Sequence, residues 1–351
     1  SDLLTIGSGI SGTNVGLSIG GAGNVLVNGT IALGSAGLTK DGLGTLTLGG
    51  SSTFSGATVV NGGSLIAVSG ALASTSSLAV NGGRLQAVNY NGSATLAVDA
   101  SGTALISGTG LSLGSVSNAN VGVDSVLFSA TGGTITLSGL SGEGRTRFGS
   151  NATINGGGVG QGVVDVAGLL RADITGGTVT AGALVSGTVS GGSSVIATSG
   201  SVTLVSGGVT TIGTSGTLGL VSGGDTTVNG LATVGTLSNG TLSLAGAGTS
   251  TITLLNGGSL SLGVGVLANV SGGTDAGTII GSGSLTKVGS GTLTLSGLNT
   301  YSGLTTVSAG VLNIQGGSAL GGTAGATVVA SGAVLELQGG VSVSGEGLTI
   351  S

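Results

Sequence analysis

Apolar and polar residues alternate along nearly the whole chain. In "GTLTLSG" (291–297), Leu293 and Leu295 fall on one side of an extended backbone, and Thr292, Thr294 and Ser296 on the other. The stretches "GTLTLGG", "TITLSG", "TVTAGALV", "TLSLAG" and "TITLLNGG" keep the same period of two. Gly-rich breaks interrupt it every few residues, which predicts short strands joined by tight turns. No stretch combines helical spacing with good caps, so the expected fold class is all-β.

Internal repeats narrow the kind of β structure. "VSGGSSVIATSGSVTL" (189–204) runs directly into "VSGGVTTIGTSGTLGL" (205–220), identical at nine of 16 positions, and a third "VSGG" opens at Val221. "VNGGSL" (60–65) and "VNGGRL" (80–85) stand 20 residues apart. Such periods suit one turn of a parallel β-solenoid with coils of about 16–25 residues and two or three short strands each, whereas a propeller blade needs about 40–45. Each strand would pair with its equivalent in the coils above and below, about 4.8 Å away. The expectation is one continuous solenoid over residues 1–351, with uncharged short-period coils at 174–224. Corners need residues that tolerate positive φ, and Asn-Gly pairs begin at Asn28, Asn61, Asn81, Asn91, Asn155, Asn229, Asn239 and Asn256. These Asn side chains are candidates for stacked amide ladders.

Composition agrees with that architecture and closes several functions. The 351 residues include 81 Gly and no Pro, Cys, Met, Trp or His; 5% are charged and 1% aromatic. A core built from Val, Leu, Ile and Ala must be thin, one or two side chains across. Disorder is opposed by the 39% apolar content, which alternates with Thr and Ser. Six basic residues against 11 acidic ones cannot supply a phosphate-binding patch, so nucleic acid is excluded as a partner. No apolar run approaches the roughly 20 residues of a membrane-spanning helix. The opening "SDLLTIGSGISGTNVG" lacks the pattern of a signal peptide, so a mature product or an internal piece is expected. Both ends read as ordinary coil without a capping helix. They are expected to stack on further solenoid of the same chain or on other copies of it.

Two segments 247 residues apart align without a gap: "LTKDGLGTLTLGGSSTFSGATVVNGGSL" (38–65) and "LTKVGSGTLTLSGLNTYSGLTTVSAGVL" (285–312). Each holds one lysine and one ring in a chain nearly empty of both. The second resembles the passenger-associated transport repeat of bacterial autotransporters, at Lys287, Gly291, Asn299, Tyr301, Gly303 and Gly310 among others. The first matches at Lys40, Gly44, Gly56 and Gly63, with Ser52 in place of the Asn and Phe54 in place of the Tyr. The resemblance implies a right-handed parallel β-helix displayed outside a Gram-negative-type cell after export through an outer-membrane barrel. It also implies that the repeat helps the passenger to fold and emerge.

Candidate chemistry is sparse. Without His or Cys, Ser-His-Asp and Cys-His catalysis and ordinary zinc sites are closed. Two charge clusters remain: Asp165 and Asp173 with Arg171 between them, and Glu143, Arg145 and Arg147 in "GEGRTRF". A carbohydrate enzyme would need two carboxylates facing one groove and sugar platforms, and the nearest ring is Phe148. Solvated, paired surface charges are the simpler reading. "GGTDAG" (272–277) is a single, misregistered fragment of a calcium nonapeptide, and Thr-x-Thr triplets at 45–47, 134–136, 178–180, 251–253 and 292–294 are not once per coil. Lys40 and Lys287 are expected to lay their stems on the coil and direct their amines to carbonyls or solvent. Phe54 and Tyr301 are expected to plug a larger gap at a corner. The function that follows is a structural, non-enzymatic surface segment needing no cofactor, projecting or self-assembling as a stiff rod. The alternatives are an adhesin that takes surface glycans on a lateral face near Arg145 and Arg147, and a β-helical polysaccharide lyase or hydrolase.

Overall fold

The structure, a computed structural model, describes residues 2–68, 70–122, 125–155, 158–160 and 162–351. Among these residues the chain forms a parallel β-solenoid of about 18 turns without a helix. It divides into two compact units, residues 1–182 and 183–351.

In the first unit the period-two alternation becomes stacked columns. Leu46 and Leu48 of strand Thr45–Leu48 are buried, while Thr45 and Thr47 face outward. Val25, Leu46, Leu65, Leu85, Ala104, Val126, Thr146 and Val164 pair in succession, so one inward column passes through eight coils. Burying each such aliphatic side chain contributes about 1.5–3 kcal/mol. Among the described residues every strand pairing is parallel, which leaves the interior backbone groups satisfied by the coil before and the coil after. A second inward column holds Ile19, Lys40, Val60, Val80, Val98 and Asn118.

The second unit opens on the short coils. Ser199 pairs with Ser215 and Ser215 with Leu231, a step of 16, whereas Val311 pairs with Val334, a step of 23. Where short strands are expected, the structure has strands Ser199–Ile212 and Ser215–Val228, each of 14 residues. The chain turns the corner at Gly207–Gly208 and at Gly223–Gly224 without leaving the ladder, whose register shifts there. Gly208 and Gly224 take φ of +74° and +69°, which side-chain-bearing residues rarely adopt. Small inward residues make so tight a coil possible: Gly200, Gly216 and Ala232 follow one another in one column. Ser194, Thr210 and Thr226 make another, their buried hydroxyls without a hydrogen-bond partner among the described residues. The longest inward column of this unit among the described residues runs Ser186, Val202, Leu218, Val234, Ile252, Val270, Lys287, Val307, Val329 and Ile350.

Among the described residues one Asn ladder forms. Asn81 Nδ2 donates to Asn61 Oδ1 at 3.1 Å, and Asn61 Nδ2 donates to Asp41 Oδ1 at 2.8 Å. These three follow the paired strands Leu38–Lys40, Thr58–Val60 and Ser77–Val80, so register alone brings them together.

Candidate functional site

The two lysines occupy equivalent places in their units. Each closes a strand, Leu38–Lys40 or Ser284–Lys287, at a position that points inward. Lys40 is 2% exposed and Lys287 is 0% exposed, and each interrupts a column that is aliphatic on both sides. The stem fills the column, and the ammonium is caught where the chain turns. Lys287 Nζ donates to the carbonyls of Val288, Gly289 and Ala309 at 2.7, 2.8 and 3.1 Å. Lys40 Nζ donates to those of Asp41, Gly42 and Gly62 at 2.6, 3.0 and 3.2 Å. Three acceptors match the three N–H donors of an ammonium. Burial lowers the pKa of both amines, and at Lys40 the neighbouring Asp41 carboxylate pulls the other way. The lysine thus ties its own turn to the turn of the next coil.

Glycines make room for this tie. Gly310 and Gly63 take φ of +68° and +61°, and a Cβ on Gly310 would stand 2.9 Å from Lys287 Nζ. A Cβ on Gly303, Gly56 or Gly44 would run into the backbone of Gly283, Ala36 or Gly23 in the preceding coil. Gly291 has more room, its nearest contact being Ser271 O at 3.4 Å.

The rest of the repeat closes the loop after the second strand. Tyr301 is fully buried, and its hydroxyl lies 2.7 Å from Thr305 Oγ1. Burial pushes the phenol's pKa up, against the hydrogen bond to Thr305. Phe54 fills the corresponding place, and Thr58, corresponding to Thr305, turns instead to Thr75 at 3.2 Å. Asn299 bridges two neighbouring coils: its Oδ1 accepts Ile279 N–H at 2.8 Å and its Nδ2 donates to Ala319 O at 2.7 Å. Ser52 is too short for this, and its buried hydroxyl has no partner among the described residues.

The charged residues of the two clusters are divided between an ion pair, separate strand pairings and a turn. Arg145 Nε donates to Asp165 Oδ2 at 2.8 Å, an ion pair between adjacent coils. Arg145 and Arg147 share the outward face of strand Arg145–Phe148. Within strand Val163–Arg171, Asp165 pairs in register with Arg147, but Arg171 pairs with Thr153 of a different strand. Asp173 lies beyond that strand's end, where its carbonyl accepts Val159 N–H. Phe148 is buried and stacked on Phe128 with ring centroids 5.0 Å apart, so it offers no sugar platform. Asp275 of "GGTDAG" points into the core at 1% exposure and accepts Gly277 N–H at 2.9 Å. Its pKa is raised by burial, which the Gly277 hydrogen bond opposes. Among the described residues no three acidic side chains gather as a metal site would require. The Thr-x-Thr triplets do not stack as such; one outward column instead takes a single hydroxyl per coil from Ser201, Thr217, Thr233 and Thr251.

Two residues escape a sequence reading. Asn118 stands in the Lys40 column, 1% exposed, with Nδ2 donating to Arg145 O at 2.9 Å and Ser125 Oγ at 3.0 Å. Arg84 is exposed and its side chain has no hydrogen bond or ion pair among the described residues. The only signal for Arg84 is the 20-residue spacing of "VNGGSL" and "VNGGRL", which sets it beside Ser64.

Among the comparisons with known proteins, a family model falls on the two lysine stations. The passenger-associated-transport-repeat family model matches residues 38–67 and 285–314. The adhesin BmaC autotransporter of Brucella suis biovar 1 (strain 1330) is 35% identical over 101 residues, 28% of this chain. The matched stretch spans 3% of that relative's length. No solved structure matches the chain. Passengers of this type are presented on the outer cell surface. With both repeats set on a parallel solenoid as matching lysine-tied turns, the chain carries two passenger-associated transport repeats on a β-helical scaffold and is similar over these parts to autotransporter passengers.

Proposed function

We propose that this segment acts mechanically, as a stiff, non-enzymatic spacer in a surface-displayed adhesin-like protein. The observation that carries this reading is the continuity of the inward columns. Within each unit, successive coils are joined by parallel backbone ladders over one aliphatic stripe, and the rare buried polar side chains tie coil to coil. Such an arrangement resists local opening, because a coil cannot leave without breaking two ladders.

Trypsin tests it. Lys40 and Lys287 are buried, and Arg84, Arg145, Arg147 and Arg171 all lie on paired strands. Digestion at native pH is expected to leave the chain intact for hours, whereas rapid release of small peptides would sink the proposal.

The partner proposed for the outermost described coils is a further coil of the same kind, from this chain's own solenoid or from another copy. Leu348 and Ile350 continue inward columns but are 53% and 74% exposed, and Leu3 and Leu4 are each 59% exposed. Negative-stain images should show filaments of uniform width if copies stack, and isolated short particles if they do not.

A second reading, binding of surface glycans through a lateral face, is favoured by the relative described as an adhesin and by the outward arginines of residues 84–147. Cells displaying the segment would then adhere to a glycan-coated surface better than cells displaying none.

A further inference from the structure

Strands Thr45–Leu48, Ser64–Ala67, Arg84–Val88, Thr103–Thr109 and Val126–Gly132 lie side by side in the first unit. Their outward side chains form two columns. One holds Thr45, Ser64, Arg84 and Thr103; the other holds Thr47, Ile66, Gln86, Leu105 and Leu127. Neither column contains a carboxylate. The first acidic residue met along them is Asp165, two coils beyond Leu127, and Arg145 already holds it. Among the described residues, Arg84 therefore offers a guanidinium without a partner on two columns that carry no counter-charge, in a chain whose net charge is −5.

The surface on either side of Arg84 is hollowed. A cavity of about 40 Å³ is lined by Ser64, Leu65, Ile66, Arg84 and Gln86. An open one of about 210 Å³ is lined by Arg84, Thr103, Ala104, Leu105 and Leu127. We infer that this face binds an anionic polysaccharide, with Arg84 holding a carboxylate or sulfate and the two hollows taking the sugars on either side. A guanidinium presents paired N–H donors that match such anions. Ser64, Thr103 and Gln86 supply hydrogen-bonding partners for hydroxyls, and Ile66, Leu105 and Leu127 supply apolar contact for ring C–H faces. The ligand must run across the strands, along the columns. Interior strands here have both edges paired, so an extended peptide finds no sheet edge to join. A chain of hydroxylated rings with periodic negative charge needs no such edge.

The inference rests on the adhesin reading, and its test separates the two. The full chain is titrated with polygalacturonate, a uronate polymer, with heparin, a sulfated one, and with neutral dextran. Binding to at least one anionic polymer, weakened by added salt, is expected, and its identity distinguishes carboxylate from sulfate. Arg84→Gln should weaken that binding about tenfold, and Arg171→Gln, outside these two columns, should leave it unchanged. The substitution lies on an exposed position, so circular dichroism should match the parent. Equal binding of dextran, unchanged binding by Arg84→Gln, or equal competition by polyglutamate would overturn the site. Failure to bind either anionic polymer would also remove it, yet adhesion of displaying cells to glycans would leave the wider adhesin reading standing.

Discussion

Lys287 Nζ and the carbonyl oxygen of Ala309 stand 3.1 Å apart, 22 residues and one coil removed. Lys40 and Gly62 stand in the same relation at 3.2 Å, again 22 residues apart. An ammonium placed between aliphatic neighbours in its column thus serves as a clamp between turns that the strand ladders alone would leave less constrained.

Removing the clamp tests its value. Lys287→Met keeps most of the stem but strands three carbonyls, and leaving buried acceptors unpaired costs about 1–3 kcal/mol. The urea midpoint should fall accordingly, and Lys40→Met should behave alike because its three bonds are equivalent. A midpoint that rises would mean that desolvation of the ammonium outweighs its hydrogen bonds.

The two repeats also serve as natural variants of each other. Tyr301→Phe should lose only the bond to Thr305, about 1 kcal/mol, since Phe54 already fills the matching place. Ser52→Asn should supply the amide that bridges coils in the other repeat and gain about 1 kcal/mol. Thermal melts of the two variants should therefore move in opposite directions.

Acid and base should act on different coils. Asp275 has a raised folded-state pKa, so its contribution is present below the unfolded value near 3.8 and is lost as pH rises through the folded value. Asp41 and Asp99 have lowered folded-state pKa values, Asp41 chiefly from its hydrogen bond with Asn61 and Asp99 from that with Ser101 N–H. Their contributions are present above the unfolded value and are lost as pH falls through the folded one. Asp275→Asn should remove the downward slope above pH 4 and be the more stable form at neutral pH, read as hydrogen-exchange protection at Gly277 and its neighbours. Equal protection of parent and variant across that range would refute it.

The solenoid was legible because its physics is local and repetitive. Leu293 and Leu295 lie inward and Thr292 and Thr294 outward, as the alternation requires. The 16-residue repeat beginning at Val189 reappears as the step from Ser199 to Ser215. The continuous 14-residue strands were not legible, because Gly-Gly reads as a break although here it bends a ladder that continues. Pairing of Asn61 with Asn81 was suggested by their spacing, but the other Asn-Gly pairs give no such ladder among the described residues. One coil beyond Asn28 stands Gly49, and one coil beyond Asn229 stands Ala245, neither of which carries an amide to stack on.

For the site, sequence by itself determined that Lys40 and Lys287, with Phe54 and Tyr301, are matching structural stations, because rarity and spacing mark them without any knowledge of contacts. It also determined that His- and Cys-based chemistry is absent. Only the tertiary structure decided that the two lysines point inward, since a strand's alternation does not say which carbonyls close over its last residue. Only stacking could show that Arg145 is spent on Asp165 while Arg84 is free, because partners 20 residues apart in sequence meet through coil length. Each coil sets its own length by where its glycines turn, and those lengths add from coil to coil before any outward column is aligned.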